Sequence, residues 1–329
     1  MVVVSDSRAI LVTGAAGFIG ARFVESCAAR GIPRISVDAR RHFAERPEHR
    51  GVDFGQIVDR DELFDWLNKD QPELRAIVHL GACTDTRQMD VAYLSRVNVE
   101  YSRMLWQYAT TARVPLVYAS SAATYGDGAL GHADDESVIP RLHPLNPYGD
   151  SKQQFDLWAL AEDRAGRNPP AWCGFKFFNV YGFGERHKGP MASVVLHAFD
   201  QIRNTGVVRL FRSHRPDFAD GHQVRDFIDV NDVVNALHFA LDASVPRGIV
   251  NLGTGEGRTF LDVTRATFDA LGAPVRIEFI DTPPDLRERY QYFTQATTAR
   301  LRSIGYAAPF TPVERGVRAY VRRLTETAD

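Results

Sequence analysis

Short apolar runs alternate with segments of helical periodicity along the first half of the chain. Runs typical of buried strands occupy residues 8–13, 34–38, 75–80, 114–119 and 172–178. Apolar side chains recur at helical spacing in residues 18–29, 90–112 and 146–165. Strands that alternate with helices predict an α/β fold with a doubly wound parallel sheet, covered by helices on both faces. After the second strand, an arginine-rich segment reaching about Val58 is expected to be a surface loop.

The pattern loosens beyond Tyr181. A helix near 192–204 and a short strand near 207–211 precede a polar insertion, and strand character returns around a helix at 230–242. We therefore predict two interleaved domains. The larger comprises residues 1–180 and about 224–252, and the smaller α/β domain comprises residues 181–223 and 253–329.

Three glycines lie between the first predicted strand and the first predicted helix. Gly14, Gly17 and Gly20 stand in the sequence TGAAGFIG. Glycine at these places permits a tight turn, close approach to a pyrophosphate and close packing of the helix. The N-terminus of the helix then offers free N–H groups to the anion. An ordinary glycine turn is the alternative, but the flanking strand and helix favour a Rossmann-type, dinucleotide-binding domain.

The residues after the second strand bear on the choice of cofactor. Asp38 lies roughly 20 residues after the glycines, where a carboxylate binds the hydroxyl groups of the adenosine ribose. Taken alone, Asp38 favours NAD. Arg40 and Arg41 follow at once, and a guanidinium there can hold the 2′-phosphate of NADP. A solvated basic loop is the alternative interpretation of the two arginines.

A tyrosine and a lysine share one face of a predicted helix. Tyr148 and Lys152 are four residues apart in NPYGDSKQQF. A lysine ammonium and a nicotinamide cation beside a phenol favour the phenolate, so Tyr148 can act as a general base. Ser120 and Ser121, at the end of the strand before this helix, are candidates to bind the reacting substrate oxygen. A surface Tyr–Lys pair and a serine cap of the strand end are the alternatives.

Composition narrows the class of protein without identifying an activity. The chain has 329 residues and a net charge of −2, which favours neither nucleic acid nor an acidic membrane as a partner. Cys27, Cys83 and Cys173 lack metal-ligand spacing, so we expect reduced thiols and no metal site. No signal peptide or membrane span is recognisable, and a cytoplasmic location is expected.

A resemblance to a known family rests on blocks distributed along the chain. TGAAGFIG, HLGA, YASSAATYG, YGDSK and FFNVYG, in this order, resemble the extended short-chain dehydrogenases/reductases of the NAD-dependent epimerase/dehydratase family. GACTDT, VRDFIDVNDV and GIVNLGTG, and above all RHKGPMASV and RYQYFTQA, resemble the epimerases of ADP-linked heptoses. The resemblance covers about residues 10–320.

The resemblance assigns roles to individual residues. The glycines and Arg40 are already candidates for the cofactor site from their position. The resemblance adds or supports Phe18, Ile19, Asp38, Gly81, Ala82, Cys83, Thr84, Asn98, Lys152 and Val180. Tyr148 and Lys188 would be the two acid/base residues. The nucleotide sugar would contact Asn179, His197, Phe211, Arg225 and Tyr290.

Three of these residues have simpler interpretations. Lys188 lies in a polar turn and can be a solvated loop residue. Arg225 can form an internal ion pair with Asp226 or Asp229, and His197 can be an ordinary core histidine. The functional assignment of Lys188 has a chemical reason, because inversion of a carbinol carbon requires proton transfer on both faces of the sugar.

The implied function is epimerisation at C-6 of an ADP-heptose through transient oxidation by bound NADP, with NAD possible, in heptose supply for the lipopolysaccharide core. The resemblance also implies a homo-oligomer, a pentamer. Leu80, Pro190 and the insertion at 212–223 depart from the epimerase pattern and bear on the identity of the sugar. A 4-epimerase or dehydratase of another nucleotide sugar is the alternative on the same scaffold. A catalytically silent NADP-binding protein is disfavoured because Tyr148 and Lys152 are both present.

Overall fold

The computed structural model describes residues 7–242, 247–287 and 290–327. Its strands are β1 (Ala9–Thr13), β2 (Arg34–Asp38), β3 (Gln56–Asp59), β4 (Leu74–His79), β5 (Leu116–Ser121), β6 (Trp172–Phe177), β7 (Asn179–Tyr181), β8 (Val208–Phe211), β9 (Val224–Asp229), β10 (Gly248–Leu252), β11 (Gly257–Thr259) and β12 (Ile277–Ile280). Its helices are α1 (Phe18–Ala29), α2 (Arg40–Glu45), α3 (Leu63–Asp70), α4 (Val91–Leu94), α5 (Tyr101–Thr111), α6 (Pro147–Arg164), α7 (Val194–Thr205), α8 (Val230–Asp242), α9 (Phe260–Ala270), α10 (Pro284–Arg287), α11 (Ala299–Ser303) and α12 (Val313–Glu326). A π-helical turn, Ser95–Glu100, joins α4 to α5.

A seven-stranded parallel sheet forms the centre of the fold. Its strand order is β10-β6-β5-β4-β1-β2-β3. The chain passes from β1 to β2 on one side and later returns to β4 on the other, which leaves a crevice at the carboxyl ends of β1 and β4. This topology confirms the predicted Rossmann-type α/β fold.

The central strands are apolar on both faces because helices cover both faces. Successive residues of β1 point to opposite sides, and accordingly Ile10 and Val12 belong to one apolar cluster while Leu11 belongs to the other. Trp106 and Trp172 fill the cluster that contains Leu11, and both are almost fully buried. The continuous apolar runs seen in the sequence follow from this two-sided burial.

Two smaller sheets lie beyond the central one. In the first, β9 runs antiparallel to β11 and parallel to β7. In the second, β8 pairs in parallel with β12. Helices α7, α9 and α12 supply a further apolar cluster next to these sheets. The predicted division into two domains stays a prediction.

The expectation of a surface loop up to Val58 was wrong. This segment contains α2, a short helical turn at residues 47–49 and the edge strand β3. His49 and Phe54 are buried, because β3 pairs with β2 and draws the preceding residues against the sheet. Within the described ranges, no helix combines the length and apolarity needed to cross a lipid bilayer. No cluster of His, Cys, Asp or Glu suited to a metal ion occurs in those ranges.

Candidate active site

A cavity of about 800 Å³ opens at the carboxyl ends of the central strands. Most of the predicted site residues line it: Gly14, Gly17, Phe18, Ile19, Gly20, Asp38, Gly81, Ala82, Cys83, Thr84, Ser120, Ser121, Tyr148, Lys152, Val180 and Lys188. Arg40, Asn98, Asn179, His197, Phe211, Arg225 and Tyr290 do not belong to the wall of this cavity as the described residues form it. The fold thus brings together residues that are more than 150 positions apart in the sequence.

The glycine turn leaves no room for side chains. Gly14 has φ of +67°, and a Cβ atom there would lie 2.6 Å from the backbone nitrogen of Gly81. A Cβ atom on Gly20 would lie 2.0 Å from the carbonyl oxygen of Gly14. In the described part of the chain, no side chain caps the N-terminus of α1 at Gly17, so its N–H groups stay available to an anion. This turn fits the pyrophosphate of a dinucleotide.

Asp38 is fixed at the end of β2 by its neighbours. Its carboxylate accepts hydrogen bonds from the N–H groups of Ala16 (3.2 Å) and Ala39 (2.8 Å). His42 Nδ1 lies 2.8 Å from the same carboxylate. The side chain is therefore presented to the cavity in one orientation, where it can bind the hydroxyl groups of a ribose.

The arginines near Asp38 differ from the sequence expectation. Arg40 forms an exposed ion pair with Glu62 at 3.1 Å, outside the cavity wall. Arg46 and Arg60 line the cavity instead, and Arg46 donates a hydrogen bond to the carbonyl oxygen of Ala16. Sequence reasoning missed both because only the folding of α2 and β3 brings them next to Asp38.

Asn98 supports the cavity wall from behind. It lies in the π-helical turn, and its amide accepts from the N–H of Cys83 (2.8 Å) and donates to the carbonyl oxygen of Cys83 (3.0 Å). The same amide donates to the Ser151 hydroxyl of α6 at 3.0 Å. Asn98 therefore links the loop after β4 to the helix that carries Tyr148 and Lys152.

Tyr148 and Lys152 lie in the first turns of α6. Asn146 caps this helix by accepting a hydrogen bond from the N–H of Gly149, and Pro147 occupies the first position. Burial raises the pKa of Tyr148, and the Ser121 hydroxyl acts in the opposite direction. Burial lowers the pKa of Lys152 to about 8. The chain's own groups therefore give a neutral phenol, and a phenolate requires further positive charge beside Tyr148.

The two adjacent serines have different surroundings. Ser120 is 3% exposed and donates a hydrogen bond to Asp156 at 2.7 Å. Ser121 is partly exposed, lines the cavity and interacts with Tyr148. The difference follows from the alternation of side chains along β5, which turns Ser120 toward Asp156 on the inner face of α6.

Lys188 reaches the cavity from the turn between β7 and α7. Its ammonium lies 5.5 Å from the ring centre of Phe18. The fully buried Glu185 closes this turn by accepting hydrogen bonds from the N–H and hydroxyl groups of Ser193, both at 2.6 Å. Burial lowers the pKa of Lys188, and Glu185 opposes that shift. Lys188 is thus a partly exposed residue of the cavity wall.

Phe211, Arg225 and Tyr290 form a separate cluster. The rings of Phe211 and Tyr290 are 6.4 Å apart, and the Arg225 guanidinium lies 5.5 Å from the ring centre of Tyr290. Arg225 donates to the carbonyl oxygens of Val224 and Gln291. The side-chain amide of Gln291 donates to the carbonyl oxygen of Gly126, which ties the cluster to the turn that follows Ser121.

The alternative ion pair of Arg225 is not formed within the described residues. Asp226 accepts hydrogen bonds from the backbone N–H groups of Thr254, Gly255 and Ala296. Asp229 accepts from Asn231. Asn179 is exposed on β7, and His197 is partly exposed on α7, so His197 is not a fully buried core histidine.

Comparisons with known proteins agree with this geometry. The profile of the NAD dependent epimerase/dehydratase family matches residues 10–253. The chain is 45% identical over 325 residues to the ADP-L-glycero-D-manno-heptose-6-epimerase of Nitratidesulfovibrio vulgaris strain Hildenborough, covering 97% of this chain and 98% of that protein. It is 41% identical over 331 residues to the enzyme of that name from Fusobacterium nucleatum subsp. nucleatum, covering 97% and 99%.

Two solved structures illustrate the similarity of fold. The ADP-L-glycero-D-manno-heptose-6-epimerase of Helicobacter pylori matches with a TM-score of 0.80 at 24% identity, covering 97% of this chain and 96% of that one. MoeE5 in complex with UDP-glucuronic acid and NAD matches with a TM-score of 0.76 at 26% identity, covering 97% and 99%.

Proposed function

The chain belongs to the NAD dependent epimerase/dehydratase family, and from this premise we propose that it interconverts ADP-D-glycero-D-manno-heptose and ADP-L-glycero-D-manno-heptose by inversion at C-6. The observation that carries this proposal is the presence of two acid/base groups, Tyr148 and Lys188, from distant segments in one cavity. Relatives that match almost the whole chain bear the name of this epimerase, which supports the choice of sugar. Heptose supply for the lipopolysaccharide core is the corresponding setting.

Inversion of a carbinol carbon needs hydrogen to leave one face and return to the other. A bound nicotinamide supplies the hydride acceptor and donor that the side chains lack. Tyr148 takes the proton of the C-6 hydroxyl, and Ser121 donates a hydrogen bond to the same oxygen. Lys188 serves the other face of the sugar. Lys152 lies one helical turn from Tyr148 and supplies an amine beside the phenol, and burial lowers the pKa of that amine to about 8.

The proposed ligand-binding residues divide between the cavity wall, which holds the cofactor, and residues outside it, which hold the nucleotide sugar. The cofactor is held by the glycine turn with Phe18 and Ile19, by Asp38, by residues 81–84, by Lys152 and by Val180. Arg225 binds the diphosphate of the nucleotide sugar, because its two bonds to carbonyl oxygens leave further N–H donors of the guanidinium unused among the described residues. Phe211 and Tyr290, which pack beside Arg225, contact the same nucleotide sugar, as do Asn179 and His197 by resemblance.

The proposed reaction is tested by incubating the purified protein with each ADP-heptose epimer and following the sugar proton resonances by NMR. We expect both epimers to reach the same equilibrium mixture without net consumption of NADP or NADPH. A panel of UDP-, GDP- and dTDP-sugars is the control. Conversion of one of these sugars, with ADP-heptose unchanged, would show that the chain is another nucleotide-sugar epimerase or dehydratase.

We expect the purified protein to carry NADP, since Arg46 and Arg60 line the cavity near Asp38 and can hold a 2′-phosphate. Mass spectrometry of the nucleotide released by denaturation measures this. Arg46→Ala should lower the ratio of NADP to NAD affinity about tenfold or more, as expected for a lost charge-assisted hydrogen bond. Arg40→Ala is the matched control, and it should leave the ratio unchanged because Arg40 pairs with Glu62 outside the cavity. Release of NAD alone would contradict the prediction.

A further inference from the structure

A buried ion pair lies behind Tyr148 and Lys152. Lys176 of β6 and Asp156 of α6 have fully buried side chains, and Lys176 Nζ is 2.7 Å from Asp156 Oδ2. Ser120 donates to the same oxygen at 2.7 Å, and Tyr118 donates to Oδ1 at 3.0 Å. Three donors from two neighbouring strands therefore converge on this one carboxylate.

Lys176 also has partners on the side away from Asp156. Its ammonium donates to the Thr124 hydroxyl at 2.6 Å and lies 5.3 Å from the ring centre of Tyr125. Residue 176 stands opposite Ser120 in the register of β5 and β6. The sheet thus carries the lysine to the carboxylate, and neither charge has contact with solvent.

Asp156 follows Lys152 by four residues on the same helix. A lysine and an aspartate at this spacing share a face and attract each other, and the attraction is stronger in the protein interior than in water. Asp156 is close enough to oppose the effect of burial on Lys152. Among the described residues, however, the ion pair of Asp156 is made with Lys176, and Lys152 stays at the cavity wall.

We propose that Lys176, assisted by Ser120 and Tyr118, occupies the carboxylate of Asp156 and thereby prevents it from capturing Lys152. Lys176 is then a positioning residue for the acid/base pair, although it lies outside the cavity. This inference rests on the proposed function, because it takes Tyr148 and Lys152 as the reacting pair. The buried ion pair keeps the Lys152 ammonium available to Tyr148 and to the cofactor.

The test compares a single variant with a double variant. In Lys176→Met, Asp156 should pair with Lys152, and kcat should fall about 10²-fold or more, the scale of a lost acid/base contribution. The KM of the nucleotide sugar should change less, because the cluster around Arg225 is untouched. Asp156→Asn combined with Lys176→Met removes the capturing carboxylate and should regain most of the lost kcat. Lys176→Arg preserves the ion pair and should retain kcat.

A structural readout separates positioning from loss of folding. Melting temperatures establish which variants fold, and a crystal structure of Lys176→Met should place Lys152 Nζ within about 4 Å of the Asp156 carboxylate, the distance of a salt bridge. A folded single variant with wild-type kcat, an unmoved Lys152, or a double variant no more active than the single one would each overturn the proposal.

If Lys176→Met does not fold, Tyr118→Phe removes one donor from Asp156 without a change of charge and leaves the cavity residue Ser120 in place. This variant should lose kcat while the KM of the nucleotide sugar is retained, and a wild-type kcat would overturn the proposal.

Failure of the proposed function would give a different result, since the wild-type protein would then leave ADP-heptose unchanged. The variants can in that case be compared on whichever nucleotide sugar is converted, and the crystallographic readout is independent of the substrate.

Discussion

Tyr148→Phe is expected to lower kcat for epimerisation about 10²- to 10⁴-fold, the usual contribution of a general acid or base. The phenyl ring keeps the packing of a side chain that is only 8% exposed, so the fold should persist. The glycine turn is also unchanged, so the protein should purify with its nicotinamide nucleotide. The measurements are the rate of epimer interconversion by NMR and the nucleotide content by mass spectrometry.

Tyr125→Phe is the matched control for the loss of a tyrosine hydroxyl. Tyr125 is buried and donates to Asn251 at 2.7 Å, but it does not line the cavity. Its replacement should lower the melting temperature and leave kcat near that of the wild type. A Tyr148→Phe enzyme with kcat within about tenfold of the wild type would show that another group moves the proton.

Lys188→Met should suppress epimerisation about 10²-fold or more, because the second face of the sugar loses its proton donor. The methionine replaces one cavity-facing ammonium by an apolar chain of similar length, so the fold and the cofactor content should be retained. Substrate affinity should weaken less than kcat falls, as expected when the lost interaction belongs mainly to the transition state. Steady-state kinetics with both ADP-heptose epimers measures the two effects.

Arg186→Met tests whether the effect belongs to the ammonium in the cavity or to the turn that carries it. Arg186 lies in the same turn, but it forms an exposed ion pair with Asp200 at 2.9 Å. Its loss should change kcat little, since surface ion pairs contribute little to stability and this one does not face the cavity. Equal losses in the two variants would show that the effect belongs to the turn, whereas a normal rate in Lys188→Met would show that Tyr148 serves both faces.

Local sequence patterns were sufficient for the parts of the site that lie within single elements. The glycine turn before α1, the end of β2 at Asp38 and the pair Tyr148 and Lys152 on α6 follow from short-range periodicity and turn chemistry. The order of β1, β2, β4, β5 and β6 along the chain also follows, because burial on both faces of the sheet requires continuous apolar runs. These features needed no knowledge of distant contacts.

Other parts depend on distances that no local pattern contains. The sequence indicated Arg40 as a candidate for the cofactor site, whereas Arg46 and Arg60 line the cavity, because α2 and β3 turn Arg40 toward Glu62. Ser120 and Ser121 look equivalent in the sequence and both line the cavity, yet Ser120 donates to Asp156 whereas Ser121 interacts with Tyr148. Only the pairing of β5 with β6 and the docking of α6 distinguish them.

The sequence by itself determined the α/β fold, the phosphate-binding turn and the residue types available for proton transfer. The tertiary structure alone decided which charges meet. Lys176 contacts Asp156, which is 20 residues away in the sequence. Lys188 contacts the ring of Phe18 at the start of α1, which is 170 residues away. The physical reason is that hydrophobic periodicity specifies which face of an element is buried, whereas the partner of a buried charge depends on the register and packing of elements that are far apart in the chain.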